Sequence, residues 1–117
     1  MSTMRDPATG FELGDPDKVP LCGALPSKEL IEAAFKPLIL SASGWRKVFA
    51  RSGDEESFEC EIGDANRVLV ALMADAFASF LERRGDGNRV IVLGVDTRPT
   101  GAQIADVMCR VFLARSF

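Results

Sequence analysis

Two stretches of this sequence combine residue types that can do chemistry on an anion. The first is Leu38-Ile39-Leu40-Ser41-Ala42-Ser43-Gly44-Trp45-Arg46-Lys47-Val48-Phe49. It opens as an apolar run and passes into small hydroxyl residues, a glycine, the only tryptophan and two adjacent cations. Hydroxyl donors, flexible backbone and a forked guanidinium just past a strand end are the parts of a phosphate or carboxylate site. The candidates here are Ser41, Ser43, Gly44, Arg46 and Lys47. The second stretch is Asp96-Thr97-Arg98-Pro99, a loop between an apolar run and a helical pattern. Ligand sites in open α/β sheets collect beyond the carboxyl ends of strands, and a helix N-terminus adds a weak positive potential. Plainer readings stand beside these. Asp96 and Arg98 can be a structural pair that ties the loop, Trp45 a packing anchor, and residues 43–47 a solvated surface loop. On residue types alone neither site is specific. The turn at residues 85–88 lacks the GxGxxG or GxxxxGK[ST] spacing of a nucleotide cradle.

Composition narrows the chemistry. The chain has 117 residues, which is one domain or one domain of something larger. It has no histidine. A Ser-His-Asp or Cys-His nucleophile system therefore cannot be built from it alone, and the commonest metal ligand is missing. The formal net charge of −3 argues against a general nucleic-acid binder, which would carry a basic face. Cys22, Cys60 and Cys109 are far apart and odd in number, so they read as reduced thiols; a disulfide or zinc site is the minor alternative. No stretch is long and apolar enough to span a membrane, and residues 1–7 lack a signal pattern, so the expected location is cytoplasmic.

The elements that must position these residues follow from periodicity. Residues 1–26 are rich in proline and glycine and read as an extended arm with apolar anchors at Phe11, Leu13, Val19, Leu21 and Leu25, or equally as a disordered leader. Ser27 caps a short helix over 28–35, stopped by Pro37, and 38–41 is a short strand. Residues 57–62 alternate and predict a half-buried strand with Phe58, Cys60 and Ile62 inward, in a hairpin with 38–50. Asp64 is the expected N-cap of a long helix over 65–84. Its apolar stripe is Val68, Leu69, Leu72, Met73, Ala76, Phe77, Phe80 and Leu81, and Gly85 is its stop. Residues 89–95 are nearly all apolar and β-branched, the pattern of a central strand covered on both faces. Thr100-Gly101-Ala102-Gln103 fits a capping box for a last helix with Ile104, Val107, Met108, Val111 and Phe112 buried. The order predicts an α/β fold, with 27–117 as its domain. A helix in this last position is normally followed by another parallel strand, so the chain reads as a fragment; the other reading is that the helix simply ends the protein.

The two candidate stretches, in this order and spacing, resemble the α-D-phosphohexomutase superfamily, the phosphoglucomutases and phosphomannomutases. Its members open with a strand running into a Gly-Thr-Ser-Gly-hydrophobic-Arg loop; here that run is Leu40-Ser41-Ala42-Ser43-Gly44-Trp45-Arg46-Lys47. A long helix and an apolar strand ending in Val-Gly-Arg-Asp-Thr-Arg follow; here the latter reads Val92-Leu93-Gly94-Val95-Asp96-Thr97-Arg98. The likeness covers roughly residues 38–115. Ser41-Ala42 stands where Gly-Thr is usual, Lys47 where many members have glycine, and Val95 where arginine is usual. The Thr-Ala-Ser-His-Asn-Pro phosphoserine loop, the Asp-Gly-Asp-Gly-Asp metal loop, the sugar-recognition loop and the C-terminal phosphate-binding domain have no counterpart in this sequence.

The resemblance implies a three-layer αβα domain with a mixed, partly parallel sheet, truncated before the phosphoserine loop. It implies an enzyme that interconverts hexose 1-phosphate and hexose 6-phosphate through a phosphoserine and a bisphosphate intermediate. Arg46 would stand beside the phosphoserine as a fixed charge, with Lys47 a secondary cation; Ser43 and Gly44 would shape the loop, and Asp96 and Arg98 would be scaffold behind the site. Mg²⁺ is expected in the full enzyme with its ligands outside this chain. The expected partners are the hexose phosphate and the remaining domains, with no nucleic acid and no membrane. A fragment of this kind would be inactive alone and prone to self-association. A non-enzymatic phosphate- or nucleotide-binding module, or a protein-interaction module, is the other class of function.

Overall fold

A 22-residue helix, α2 (Gly63–Arg84), carries the rest of the molecule. α1 (Lys28–Phe35) packs on one side of it and α3 (Gly101–Ala114) on another. Two short antiparallel pairs complete the fold: β1 (Met4–Arg5) with β2 (Glu12–Gly14), and β3 (Ile39–Ser41) with β4 (Gly44–Arg46). The structure is a computed structural model and describes residues 4–5, 7–10, 12–14 and 24–117. The chain is thus a mixed helix and strand protein. Among the described residues no helix is long and apolar enough to cross a membrane.

The helices form where the sequence predicts them, with different caps. Ser27 Oγ accepts from the Leu30 amide at 3.3 Å and starts α1 as expected. Gly85 ends α2 at φ 69°, a left-handed conformation that costs glycine nothing. Asp64, the expected N-cap of α2, lies inside the first turn instead, and no side chain of the cap residue Ile62 can bond there. The helix begins two residues earlier than expected, at Gly63, whose φ of 78° is one that glycine adopts freely. A Cβ at that glycine would meet the Arg51 stem at 3.1 Å.

α2 carries apolar residues on more than one face, and that decides how it packs. Its row at four-residue spacing, Asn66, Val70, Ala74 and Ala78, is buried and meets α3. Ile62, Val70 and Val107 form one core cluster, and Ala74, Ala78 and Phe112 form a second. Burying each large side chain of the first cluster stabilises the fold by about 1.5–3 kcal/mol. The α3 stripe is the predicted one: Val107 and Phe112 are buried, with Ile104, Met108 and Val111 packed beside them. Half of the expected α2 stripe points away. Leu72 is 54% and Phe80 55% exposed, so this helix offers a second apolar face outward.

The predicted sheet is not formed among the described residues. Residues 57–62 pair with nothing as a strand, because local side chains take their backbone groups. Glu59 N donates to Ser57 Oγ and Ser52 N to Glu59 Oε2, leaving a single backbone bond across the loop, Arg51 N to Glu61 O at 2.9 Å. Phe58, expected inward, is 90% exposed, while Ile62 is buried. Residues 89–95 have no ladder partner either. Only Ile91 packs into the second core cluster; Val90 is 75% and Val92 92% exposed. A strand needs a neighbour, and β3 pairs only with β4.

Of the expected arm, Phe11, Val19 and Leu21 lie outside the described residues, as does Cys22. Leu25 is exposed rather than buried as an anchor. Within residues 1–26, β2 pairs with β1 and lies against α3.

Candidate functional site

Both candidate stretches reach one open groove. Its wall runs from Trp45, Arg46 and Lys47 through the first turn of α2 to Asp96, Arg98, Thr100 and Gly101 at the start of α3. The groove encloses about 1780 Å³ and is wide open. Formed small-molecule pockets run to about 300–1,000 Å³, so this is a trough rather than a closed site.

The first stretch is a hairpin. Ile39 faces Arg46, Leu40 faces Trp45 and Ser41 faces Gly44, so Ala42 and Ser43 make a two-residue turn. Ser41 Oγ donates to Gly44 O at 2.6 Å and lies 3.2 Å from Ser43 Oγ. The hydroxyls therefore hold the hairpin tip together, and Ser43 and Gly44 stand outside the groove lining. Arg46, at the far end of β4, stands within it.

The groove cations differ in how far they are already used. Arg98 Nε pairs with Asp96 Oδ2 at 3.2 Å, and its amide donates to Asp96 Oδ1, so this pair does tie the loop. Arg51 Nε lies 3.5 Å from Glu59 Oε1. Lys47 Nζ donates to Ala34 O at 2.6 Å, and burial lowers its pKa. Ala34 is in the last turn of α1, where carbonyls lack a helical partner, so Lys47 caps that helix. No ion pair or hydrogen bond occupies the Arg46 guanidinium among the described residues. The trough also holds Asp54, Glu55, Glu56, Asp64 and Asp96, so its charge is mixed.

Two polar residues at this end, Asn66 and Glu61, were not singled out from sequence, and Gln103 was read there only as part of the α3 capping box. Asn66 Nδ2 donates to Phe49 O and Ile62 O, both at 3.0 Å, while its buried Oδ1 has no partner. A lone amide in the apolar row Ile62, Val70, Ala74 is the signal that could have found it. Gln103 Oε1 accepts from Ile62 N at 3.1 Å, and Gln103 Nε2 donates to Glu61 Oε2 at 3.2 Å. Glu61 also accepts from Gly63 N at 2.9 Å. That bond and the Gln103 amide hold its carboxyl below the usual carboxylate range. Partial desolvation opposes them, and Arg67 and Arg51 add to them. The capping box expected at Thr100 is therefore absent: Thr100 makes no side-chain cap, and Gln103 serves α2 instead.

Burial and nearby Asp106 push the Cys109 thiol up, and Cys60 is exposed and free. Among the described residues no three His, Cys, Asp or Glu side chains are grouped to hold a metal ion. What the arrangement offers an anion is the Arg46 guanidinium, in a groove whose lining also includes the starts of α2 and α3. No family model, curated protein or solved structure matches the chain.

Proposed function

We propose that this chain is the N-terminal α/β part of a phosphoglucomutase- or phosphomannomutase-type enzyme. In this reading residues 89–95 become an inner strand of a three-layer αβα domain once a further strand lies beside them. The apolar residues Val90 and Val92, which stand unpaired on the surface, fit that placement. The observation that carries the reading is Arg46. Its guanidinium is the one groove cation without an ion pair or hydrogen bond among the described residues, and it shares its groove with the loop from Asp96 to Gly101.

In such an enzyme a phosphoserine, supplied by further chain, gives its phosphoryl group to the free hydroxyl of a hexose 1- or 6-phosphate. The bisphosphate turns over in the site and returns its other phosphoryl group to the serine. Charge in the loose transition state spreads over the phosphoryl oxygens, where a fixed guanidinium acts by electrostatics and positioning. Arg46 takes that role. The described residues do not fit a Mg²⁺ site, and no step is assigned to the metal.

In the full-length enzyme Arg46→Ala lowers turnover of glucose 1-phosphate roughly a hundredfold, the scale for losing one preorganised charge-stabilising group. A near-normal rate refutes the role. The purified 117-residue chain shows no turnover, and measurable turnover refutes the fragment reading.

A second reading, a protein-interaction module, is favoured by the unpaired apolar segment around Val92, since open strands pair with other chains. A non-enzymatic phosphate- or nucleotide-binding module would use Arg46 in the same groove. Calorimetry that finds nucleotide binding without hexose phosphate binding supports it over the enzyme.

A further inference from the structure

We infer that Lys47 is a positioning residue: by fastening the end of β4 to the last turn of α1, it holds the neighbouring Arg46 out to the groove. This rests on the anion-binding reading of Arg46 given above. The bond from Lys47 Nζ to Ala34 O is 2.6 Å and spans thirteen residues. Ala34 is buried, so the acceptor end is fixed by the packing of α1. Lys47 directly follows Arg46 at the end of β4, so fixing its ammonium on α1 fixes the backbone from which Arg46 projects; Arg46 is exposed in the groove and makes no ion pair among the described residues. The link also closes a small unit. α1 runs into β3 through Leu38 N to Phe35 O at 3.0 Å, β3 pairs with β4, and Lys47 returns the end of β4 to α1. Ammonium burial agrees with an amine committed to a carbonyl rather than held free for an anion.

The role differs from that of a second anion-binding cation, and the difference can be read. A cation touching the anion contributes a screened charge–charge attraction, so its removal flattens the dependence of affinity on salt. A positioning residue leaves the salt dependence to Arg46. Its loss frees Arg46 and weakens binding about two- to tenfold, the cost of immobilising one more rotamer-rich side chain.

The experiment titrates the chain and its variants Arg46→Ala, Lys47→Met and Lys47→Arg with glucose 1-phosphate by NMR at several salt concentrations, and follows amide exchange at Lys36 and Leu38. Arg46→Ala weakens binding about tenfold or more and flattens the salt dependence, with exchange unchanged. Lys47→Met weakens binding less, keeps the salt dependence, and speeds exchange at both amides. Lys47→Arg, which can still donate to Ala34 O, restores both. If Lys47→Met flattens the salt dependence and leaves exchange unchanged, Lys47 touches the anion and the inference falls. It falls also if Lys47→Met alters neither quantity, or if Lys47→Met does not fold and Lys47→Arg binds no better than Arg46→Ala. If Arg46→Ala leaves binding unchanged, or wild type does not bind, the reading of Arg46 fails, and with it the positioning claim.

Discussion

Gln103, on α3, caps α2 together with Glu61. Its Oε1 takes the Ile62 amide at 3.1 Å while its Nε2 donates to Glu61 Oε2 at 3.2 Å. One side chain thus closes the start of a helix to which it does not belong, across more than forty residues of chain. Gln103→Leu leaves the Ile62 amide without its acceptor at a part-buried site. The expected loss is about 1–2 kcal/mol, the range for a removed cap. Thr100→Val, at the position where sequence places the cap of α3, changes stability by less than about 0.5 kcal/mol. Urea unfolding of the two variants beside wild type checks the pair. A larger loss for Thr100→Val restores the local capping box.

Glu61 makes the same junction sensitive to acid. Its carboxyl is held below the usual range, first by the Gly63 amide and then by Gln103. At a pH between the folded and unfolded values the unfolded chain binds more protons, so stability rises with pH there. The contribution is present above the ordinary carboxylate range and is lost as pH falls through the depressed value. Glu61→Gln removes that dependence while keeping an acceptor for Gly63. Glu82 has a lowered pKa as well, chiefly through Arg89, and adds a pH dependence of its own. The test is therefore the difference between wild type and Glu61→Gln in melting temperature against pH. That difference shrinks on acidification. A constant difference contradicts the assignment.

How much of this was legible in the sequence depends on the range of the interaction. α1 with its Ser27 cap, the Gly85 stop and the α3 stripe were all readable, because each is set within a turn or two of helix. The strands at 57–62 and 89–95 were not. An alternating or β-branched run states a preference, and pairing needs a neighbour that the run itself does not specify. At Phe58 and Val92 the preference is present and the partner is not. The Gln103 cap was misread for a related reason: Thr-x-x-Gln is a local pattern, and the glutamine found a better donor on another helix. Of the candidate site residues, Arg46, Lys47, Asp96 and Arg98 line one groove, while Ser43 and Gly44 stand outside it. Asn66 was hidden because a polar residue inside an apolar row is visible only once the row is known to be buried.

Arg115 fastens the far end of α3 to α2. Its Nη1 donates to Asp75 O, Asp75 Oδ1 and Ser79 Oγ, and its Nη2 donates to Glu82 Oε2, each at 2.8 Å. The planar fork brings two nitrogens to these four acceptors, with an Nη1 hydrogen shared, where an ammonium brings one. The two carboxylates are more than a third exposed, at 59% and 38%, so solvent screens most of the ionic part. Arg115→Ala is expected to cost about 1 kcal/mol after that discount. Arg115→Lys recovers less than half of the loss. Urea unfolding at low and high salt checks this, because a bond set dominated by charge loses most of its value at high salt and one shared with Asp75 O and Ser79 does not.

The segment around Val92 separates folding from association. Val92 is 92% exposed and touches neither core cluster, so Val92→Lys leaves unfolding free energy within about 0.5 kcal/mol of wild type. The same substitution places a charge on an unpaired apolar run, the device by which natural edge strands resist pairing. Wild-type light scattering therefore rises with concentration, and Val92→Lys lowers that rise without changing the melting temperature. Ile91→Lys is the contrast: Ile91 packs on Ala74, Ala78 and Phe112, so a lysine there costs stability as well. If Val92→Lys destabilises the fold as much as Ile91→Lys does, residues 89–95 are part of the core rather than an exposed apolar run.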